Sequence, residues 1–384
     1  MLLTNCAACA APLAHDAPRC VRCKTRYCDS TCQHDHWRRG HKQICKKIHR
    51  VGNTEHYHAD NKYKEAVKVA VEKCAEDTMG QTCYICLEAA HPHTGEGLVR
   101  GCACGDRDGV SSPELGVVHV SCLAEQAKIL VAEAMEDNLS AKAVNARWLR
   151  WSNCSLCEQN YHGVVAGALG WACWKTYVGR PEVDGARDLA MEVLGNGLYA
   201  VGQHEDSLTV RLTKLAAMRR VGASEENILA MQGNLASTYA ALGRSEDAIR
   251  IERDVYSGRM KVYGEEHGDT LEIASNYATS LLDLKHFEDV KALLRKMIPV
   301  ARHVLGKGDL LTLKMGWLYA MALYKNYGAT VDDLHEAVET LESVAKSYKR
   351  VFGQAHPKRS TVQGALAAAR AVLAAQMLLG SASS

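Results

Sequence analysis

The chain has 384 residues, 47% of them hydrophobic, so a sizeable core and two or three domains are expected. A formal charge of +2 gives no global signal for a nucleic-acid or membrane partner. The start MLLTNCAACAAP lacks the basic residues and apolar run of a signal peptide, so the sixteen cysteines point to thiolate metal ligands in a reducing compartment, cytoplasmic or nuclear, rather than to disulfides.

The first element in chain order is a Cys/His series: Cys6-x2-Cys9-x10-Cys20-x2-Cys23-x4-Cys28-x3-Cys32-x8-His41-x3-Cys45. Eight N/S ligands are enough for two closed tetrahedral zinc sites. A Cys-x2-Cys step lets one tight turn present two sulfurs, and His41-x3-Cys45 suits a single helical turn. His34 and His36 do not keep the four-residue step to Cys45 and read as surface side chains. From Cys6 to Arg50 there are ten Lys/Arg against three Asp/Glu, a basic patch read as a solvated face.

This series resembles the MYND finger, down to Tyr27 before Cys28, Gln33 after Cys32 and Trp37 four residues before His41. The resemblance implies interleaved ligation, with Cys6, Cys9, Cys28 and Cys32 on one zinc and Cys20, Cys23, His41 and Cys45 on another. It also implies a surface for short proline-containing peptides. The SET methyltransferase domain that accompanies some MYND fingers has no matching segment here.

Next comes DNKYKEAVKVAVEKCAED, where Tyr63, Val67, Ala70, Val71 and Cys74 recur at helical steps. The pattern predicts an amphipathic helix capped by Asp60 or Asn61, with Cys74 in a core.

A second series follows: Cys83-x2-Cys86-x15-Cys102-x-Cys104-x14-His119-x2-Cys122-x31-Cys154-x2-Cys157. Its phrases CYIC, GCAC, VHVSCL and CSLCEQNY resemble the RING-CH (RING-variant) finger. The resemblance implies that Cys83, Cys86, His119 and Cys122 hold one zinc and Cys102, Cys104, Cys154 and Cys157 another. It also implies that Ile85 and Leu156 contact a ubiquitin-conjugating enzyme. The chain departs from that family at Gln126, where a Trp is usual, and in the long gap between Cys122 and Cys154. A helix from Ala124 to about Arg147 is expected in that gap.

The apolar run Val164–Trp174 ends at Lys175, well short of the roughly 20 residues a bilayer needs, so no membrane span is expected. Cys173 within it reads as core. Beyond it the sequence repeats, with GASEENIL, GEEHGDTL, GKGDLLTL and GQAHPKRSTV beginning at Gly222, Gly264, Gly306 and Gly353. A second marker keeps step at Gln203, Arg244 and His286. Leu235, Tyr239 and Leu242, then Ala248, Ile251 and Val255, form the two stripes of one helix pair. Leu294, Met297, Ala301 and Val304 form a stripe of the next. Roughly residues 180–375 resemble tetratricopeptide repeats of the long, kinesin-light-chain-like type, with Gly353, His356 and Pro357 closest to the family's loop. That implies a peptide-binding groove.

The expected fold is mainly α: two small cross-braced zinc-finger modules followed by an α-helical tetratricopeptide-like solenoid. The expected boundaries are 1–50 for the first finger, 51–80 for the helical linker, 81–162 for the second finger, 163–376 for the repeats and 377–384 for a flexible tail. Four Zn2+ ions are expected. No GxGxxG, P-loop, GxSxG or HExxH motif is present, and no catalytic residue is assigned. The leading reading is a protein-interaction adaptor whose MYND-like finger and repeats bind protein partners or peptides. The alternative is a RING-type ubiquitin ligase whose repeats recruit substrate, so the sequence leaves enzyme status open. Nucleic-acid binding through the basic front end is a third reading, and it predicts steep salt dependence.

Overall fold

The computed structural model describes residues 5–11, 13–14, 16–102, 104, 116–352 and 357–382. Gly353 and His356 of the fourth loop marker lie outside the described residues. The described chain is mainly helical and divides into two compact units, residues 1–222 and 223–384.

In the first unit, α1 (Ser30–His36) is capped by Asp29, whose carboxylate accepts the Cys32 N–H at 2.8 Å. A wide turn over Trp37–His41 leads into α2 (Lys42–Arg50). Gly40 at φ 120° marks a kink there that a side chain would strain. The helix α3 (Thr54–Cys74) starts six or seven residues before the expected Asp60 or Asn61. Its cap is Asn53, which accepts the His56 N–H at 3.0 Å. Val67, Ala70 and Cys74 are buried as the stripe requires, and Tyr63 and Val71 are half-buried beside them. The expected single helix after Cys122 is two, α4 (Val120–Glu136) and α5 (Ala141–Trp148). Asn138 breaks it in the left-handed region at φ 50°, and Ser140 caps the restart.

Two further helices, α6 (Gly163–Tyr177) and α7 (Gly185–Ala200), explain the apolar run. Their contact is lined by glycines. A Cβ on Gly197 would lie 2.6 Å from the Ala166 carbonyl oxygen, and one on Gly170 would lie 3.2 Å from the Leu194 Cα. Both neighbours are backbone, so neither can turn aside. Gly197→Ala should lower stability by roughly 1–3 kcal/mol through overpacking. Thermal denaturation of the purified variant measures this, and an unchanged midpoint would show that the helices can separate freely. Trp171, Cys173 and Trp174 on α6 are buried with Trp148, Trp151 and Tyr177 in one cluster, so Cys173 is a core residue. The helix α8 (His204–Arg220) packs on α7 and ends the unit.

The second unit holds α9 (Glu225–Ala241), α10 (Ser245–Tyr263), α11 (Gly268–Asp283), α12 (Phe287–Val304), α13 (Leu310–Lys325), α14 (Val331–Phe352) and α15 (Pro357–Ala382). Each helix packs on the next. Among the first helices of the pairs, α9 touches α11 and α11 touches α13, which gives a continuous layer of the kind repeat proteins build. The loop markers have a physical basis. Gly264 and Gly306 leave the preceding helix at φ 81° and 93°, and His267 or Asp309 three residues later caps the following one. The acidic pairs Glu246–Asp247 and Glu288–Asp289 fall in first helical turns, where the macrodipole favours negative charge.

Leu235, Ala248, Val255, Leu294, Met297 and Ala301 are buried, and Tyr239, Leu242 and Ile251 half-buried. Val304, expected on the same stripe, is instead exposed at the last turn of α12. One stretch also departs from the expectation about membrane length. Among the described residues, Ser360–Leu378 in α15 is long and apolar enough to cross a bilayer by length and composition. It does so while Val362, Ala365 and Ala369 pack into the core of this unit, and Arg370 pairs with Glu342 at 2.6 Å.

Candidate metal centres

All sixteen predicted ligands converge on four groups, each with its ligand atoms within 4.8 Å of one another. They are Cys6, Cys9, Cys28 and Cys32; Cys20, Cys23, His41 and Cys45; Cys83, Cys86, His119 and Cys122; and Cys102, Cys104, Cys154 and Cys157. In both series alternate pairs along the chain share a group, which is a cross-brace.

Local backbone chemistry builds the four Cys-x2-Cys corners in one way. The residue after the second cysteine, Ala10, Lys24, Leu87 or Glu158, is left-handed at φ 60–66°. Its N–H donates back to the carbonyl of the first cysteine at 2.9–3.0 Å. The first cysteine's N–H then donates to the carbonyl five residues on, from Cys6 to Ala11, Cys20 to Thr25, Cys83 to Glu88 and Cys154 to Gln159. In three of the corners an N–H also points at the first sulfur, from Ala8, Ile85 and Leu156, each at 3.4 Å. Such donors favour a thiolate over a thiol.

The spacing of the ligand atoms tests whether zinc fits. A tetrahedral ion with Zn–S of about 2.3 Å and Zn–N of about 2.0 Å holds its ligands about 3.8 Å apart, sulfur to sulfur, and about 3.5 Å apart, sulfur to nitrogen. The structure places Cys9 and Cys28 sulfurs at 3.6 Å, Cys20 and Cys45 at 3.8 Å, and Cys104 and Cys154 at 3.6 Å. His41 presents Nε2 to Cys23 at 3.2 Å, whereas His119 presents Nδ1 to Cys86 at 3.4 Å and to Cys122 at 3.7 Å. The four clusters are therefore consistent with zinc sites. Each supplies four donors, so each would be a closed, structural site rather than one with a position left for substrate.

Electrostatics supports the same fit. Burial, then the facing Cys23 sulfur, pushes the Cys45 thiol up to about 12. Cys154 falls to about 4, chiefly because the Cys102 thiol donates to it, and Cys102 rises in turn. Three or four sulfurs at these separations cannot all ionise without a cation, so metal uptake must release protons.

The surroundings hold residues that spacing did not reveal. His36 is not a surface side chain. It is half-buried, meets the Tyr27 hydroxyl at 3.0 Å and stacks on His41 with ring centroids 4.7 Å apart. Gly116, at φ 84°, has room only for hydrogen, because a Cβ there would sit 2.7 Å from the Cys104 Cβ and 2.9 Å from the Cys102 sulfur. The stripe of α3 packs with Cys83, Cys102, Cys104, Cys122 and Cys154 in one cluster, and Tyr63 reaches the Ser121 hydroxyl at 3.0 Å. Leu156 is 47% exposed, while Ile85 is half-buried against the same cluster. Their corners are joined by Tyr84 and Ser155, whose hydroxyls lie 3.3 Å apart.

Residues 6–45 match the MYND finger family and residues 228–269 match the tetratricopeptide repeat family. Ubiquitin C-terminal hydrolase 15 of Oryza sativa subsp. japonica is 46% identical over 51 residues. That match covers 13% of this chain and 5% of the hydrolase, so the chain spans about a twentieth of its relative. Among solved structures, the nearly identical TPR-like repeats described for a kinesin light chain of Podosopora anserina align at 19% identity and TM-score 0.42, over 62% of this chain and 99% of that one. BtubC from P. vanneervenii aligns at 13% identity and TM-score 0.38, over 67% and 92%. The chain carries a MYND finger and tetratricopeptide repeats, domains typical of protein-interaction modules, together with four cysteine-rich clusters suited to zinc.

Proposed function

We propose that this chain is a zinc-stapled adaptor that holds protein partners through its MYND finger and its repeats. The observation that carries the reading is the closed donor set of all four clusters: the metal shapes surfaces and leaves no coordination position for chemistry. In this reading Cys6, Cys9, Cys28 and Cys32, Cys20, Cys23, His41 and Cys45, and the two groups of the second series each hold one Zn2+. The finger spans 1–50, the second module 81–162 and the repeats 163–376. The compartment is cytoplasmic or nuclear.

The second reading makes the 83–157 module a RING-CH-like finger that recruits a ubiquitin-conjugating enzyme. Its support is the cross-brace and the exposed Leu156 beside Ile85, on corners that touch through Tyr84 and Ser155. Two assays separate the readings. On an array of proline-containing peptides, the zinc-loaded chain should select binders, and free peptide should compete for them. With a panel of conjugating enzymes, the same chain should build no ubiquitin ladder. A ladder that disappears in Ile85→Ala, with no binder on the array, would reverse the order.

A further inference from the structure

A cleft of about 290 Å³ opens in the first unit, and none of the sixteen cluster residues lines it. One wall is the antiparallel bridge Arg19–Arg26 that flanks the second Cys corner. The start of α3 supplies Asn53 and Glu55, and the opposite side comes from the α6–α7 connection and the last turn of α8. Among the described residues, five arginines line it, Arg19, Arg26, Arg180, Arg187 and Arg220, against the two carboxylates Glu55 and Glu182. A smaller cavity of about 110 Å³ is lined by Arg19, Arg26, Asn53 and Glu55 as well and adds Lys24. These cations come from three remote stretches of chain, so folding gathers a charge that no single segment carries.

The cleft is built rather than a loose basic surface. Asn53 accepts from the His56 backbone and lies 3.1 Å from its ring Nδ1, and that ring fills the space beside Gly179. A Cβ on Gly179 would come within 2.7 Å of His56 Nε2. Arg187 lies over the Trp174 ring at 5.0 Å, donates to the Val178 carbonyl and pairs with Glu55 at 3.5 Å. Arg220 Nε donates to Glu182 at 2.9 Å. A guanidinium has five donors, and one carboxylate engages at most a fork of them. Arg180 in turn pairs with Asp184 at 3.2 Å, just outside the lining. Three acids therefore orient arginines, and the five guanidinium groups still outnumber them.

We propose that this cleft binds a phosphorylated segment of a protein partner. A phosphate dianion matches the excess of arginine forks in both charge and geometry. Ala217 in the same lining is half-buried and gives apolar footing for a residue flanking the phosphate, above the buried Val178 and Met191. A nucleic acid fits less well. Among the described residues no aromatic side chain lines the cleft for base stacking, and Glu55 and Glu182 oppose a continuous polyanion more than a single phosphate. The site extends the adaptor reading and shares its premise that the chain meets proteins, a premise the proline-peptide array tests separately.

The test is fluorescence anisotropy on the full zinc-loaded chain. The probes are a labelled phosphoserine peptide library with randomised flanks, the same library without phosphate, and a labelled twelve-nucleotide single-stranded RNA. The phosphorylated library should bind at least tenfold more tightly than either other probe. The double variant Arg19→Ala/Arg220→Ala, and independently Arg180→Glu, should weaken that binding at least tenfold, whereas Arg302→Ala on α12 should leave it unchanged. Zinc content and circular dichroism confirm that each variant is folded. Equal binding of the two libraries, tighter binding of RNA, or full binding in folded cleft variants would overturn the proposal.

Discussion

Chelation of zinc should unfold the segments around the four clusters while α9–α15 stay folded. In finger peptides structural zinc contributes about 10–16 kcal/mol per site. A whole domain retains a net stability of only about 5–15 kcal/mol. The core of the first finger consists largely of the ligands themselves, Cys6, Cys20, Cys23 and Cys45 with Tyr27 and Ile48, whereas the second series shares its core with apolar side chains such as Val67, Leu98, Val118 and Leu169. Without metal the core of the first finger becomes a set of protonated, unlinked thiols with few apolar neighbours. The second unit holds no predicted ligand and has an aliphatic core around Leu271, Leu294, Met297 and Leu323. Hydrogen exchange on the intact chain, with and without a strong chelator, reads both outcomes at once. Residues 5–50 and 83–161 should lose protection and α9–α15 should keep it. Cluster segments that stay protected after zinc is stripped would show that the fold does not depend on the metal.

Replacing Glu252 with glutamine should stabilise the second unit at pH 8 by about 1–3 kcal/mol and do little at pH 4.5. Glu252 on α10 is 2% exposed, and its Oε2 has no hydrogen-bond partner. Burial pushes its carboxyl up to about 7, and the neighbouring Ser280 and Lys314 offset only part of that, while Asp283 adds to the rise. A carboxyl raised on folding gives its full contribution below its unfolded value, near about 4.3, and loses it as pH rises through the folded value. Stability of the native chain should therefore fall between about pH 4.3 and 7 and level off above, whereas Glu252→Gln should be flat across that window in this contribution. Urea denaturation of both proteins at several pH values, followed by hydrogen exchange of α10 and α11, measures the difference. Parallel pH curves would rule out an ionising Glu252.

The ligand groups were legible because chain spacing constrains them. A two-residue step can only make a corner, and the resemblance to known fingers supplied the interleaving. What escaped the sequence was set by tertiary neighbours. The early start of α3 lies in the largely polar stretch Thr54 to His58, with no stripe to mark it; only Asn53 signals it, as one asparagine among many polar residues. Asn138 divides the helix after Cys122, where Asp137, Asn138 and Ser140 are weak helix formers suited to a stop and a new cap, a signal the apolar periodicity on either side overrode. His36 lacks ligand spacing, yet it stacks on a ligand, which no pattern along the chain records. The left-handed corner residues Ala10, Lys24, Leu87 and Glu158 are not glycines, so composition gave no hint of their backbone. The arginine cleft joins residues some two hundred positions apart, beyond the reach of any local motif. Val304 shows the converse limit, since a stripe continued to a helix end can run out of neighbours.

The interleaving of the cysteine pairs also fixes an order of events at synthesis. In the second series the group begun by Cys83 is complete once Cys122 has left the ribosome, but the group begun by Cys102 waits for Cys157. The two closed rings overlap along the chain, so the first ion captured shortens the search for the second pair of sulfurs. Metal loading should therefore run from the amino end of each series, the earlier ion acting as a template for the later. A nascent chain stalled between Cys122 and Cys154 would carry one finished ring and one pair of waiting thiols, half the number exposed before His119 emerges.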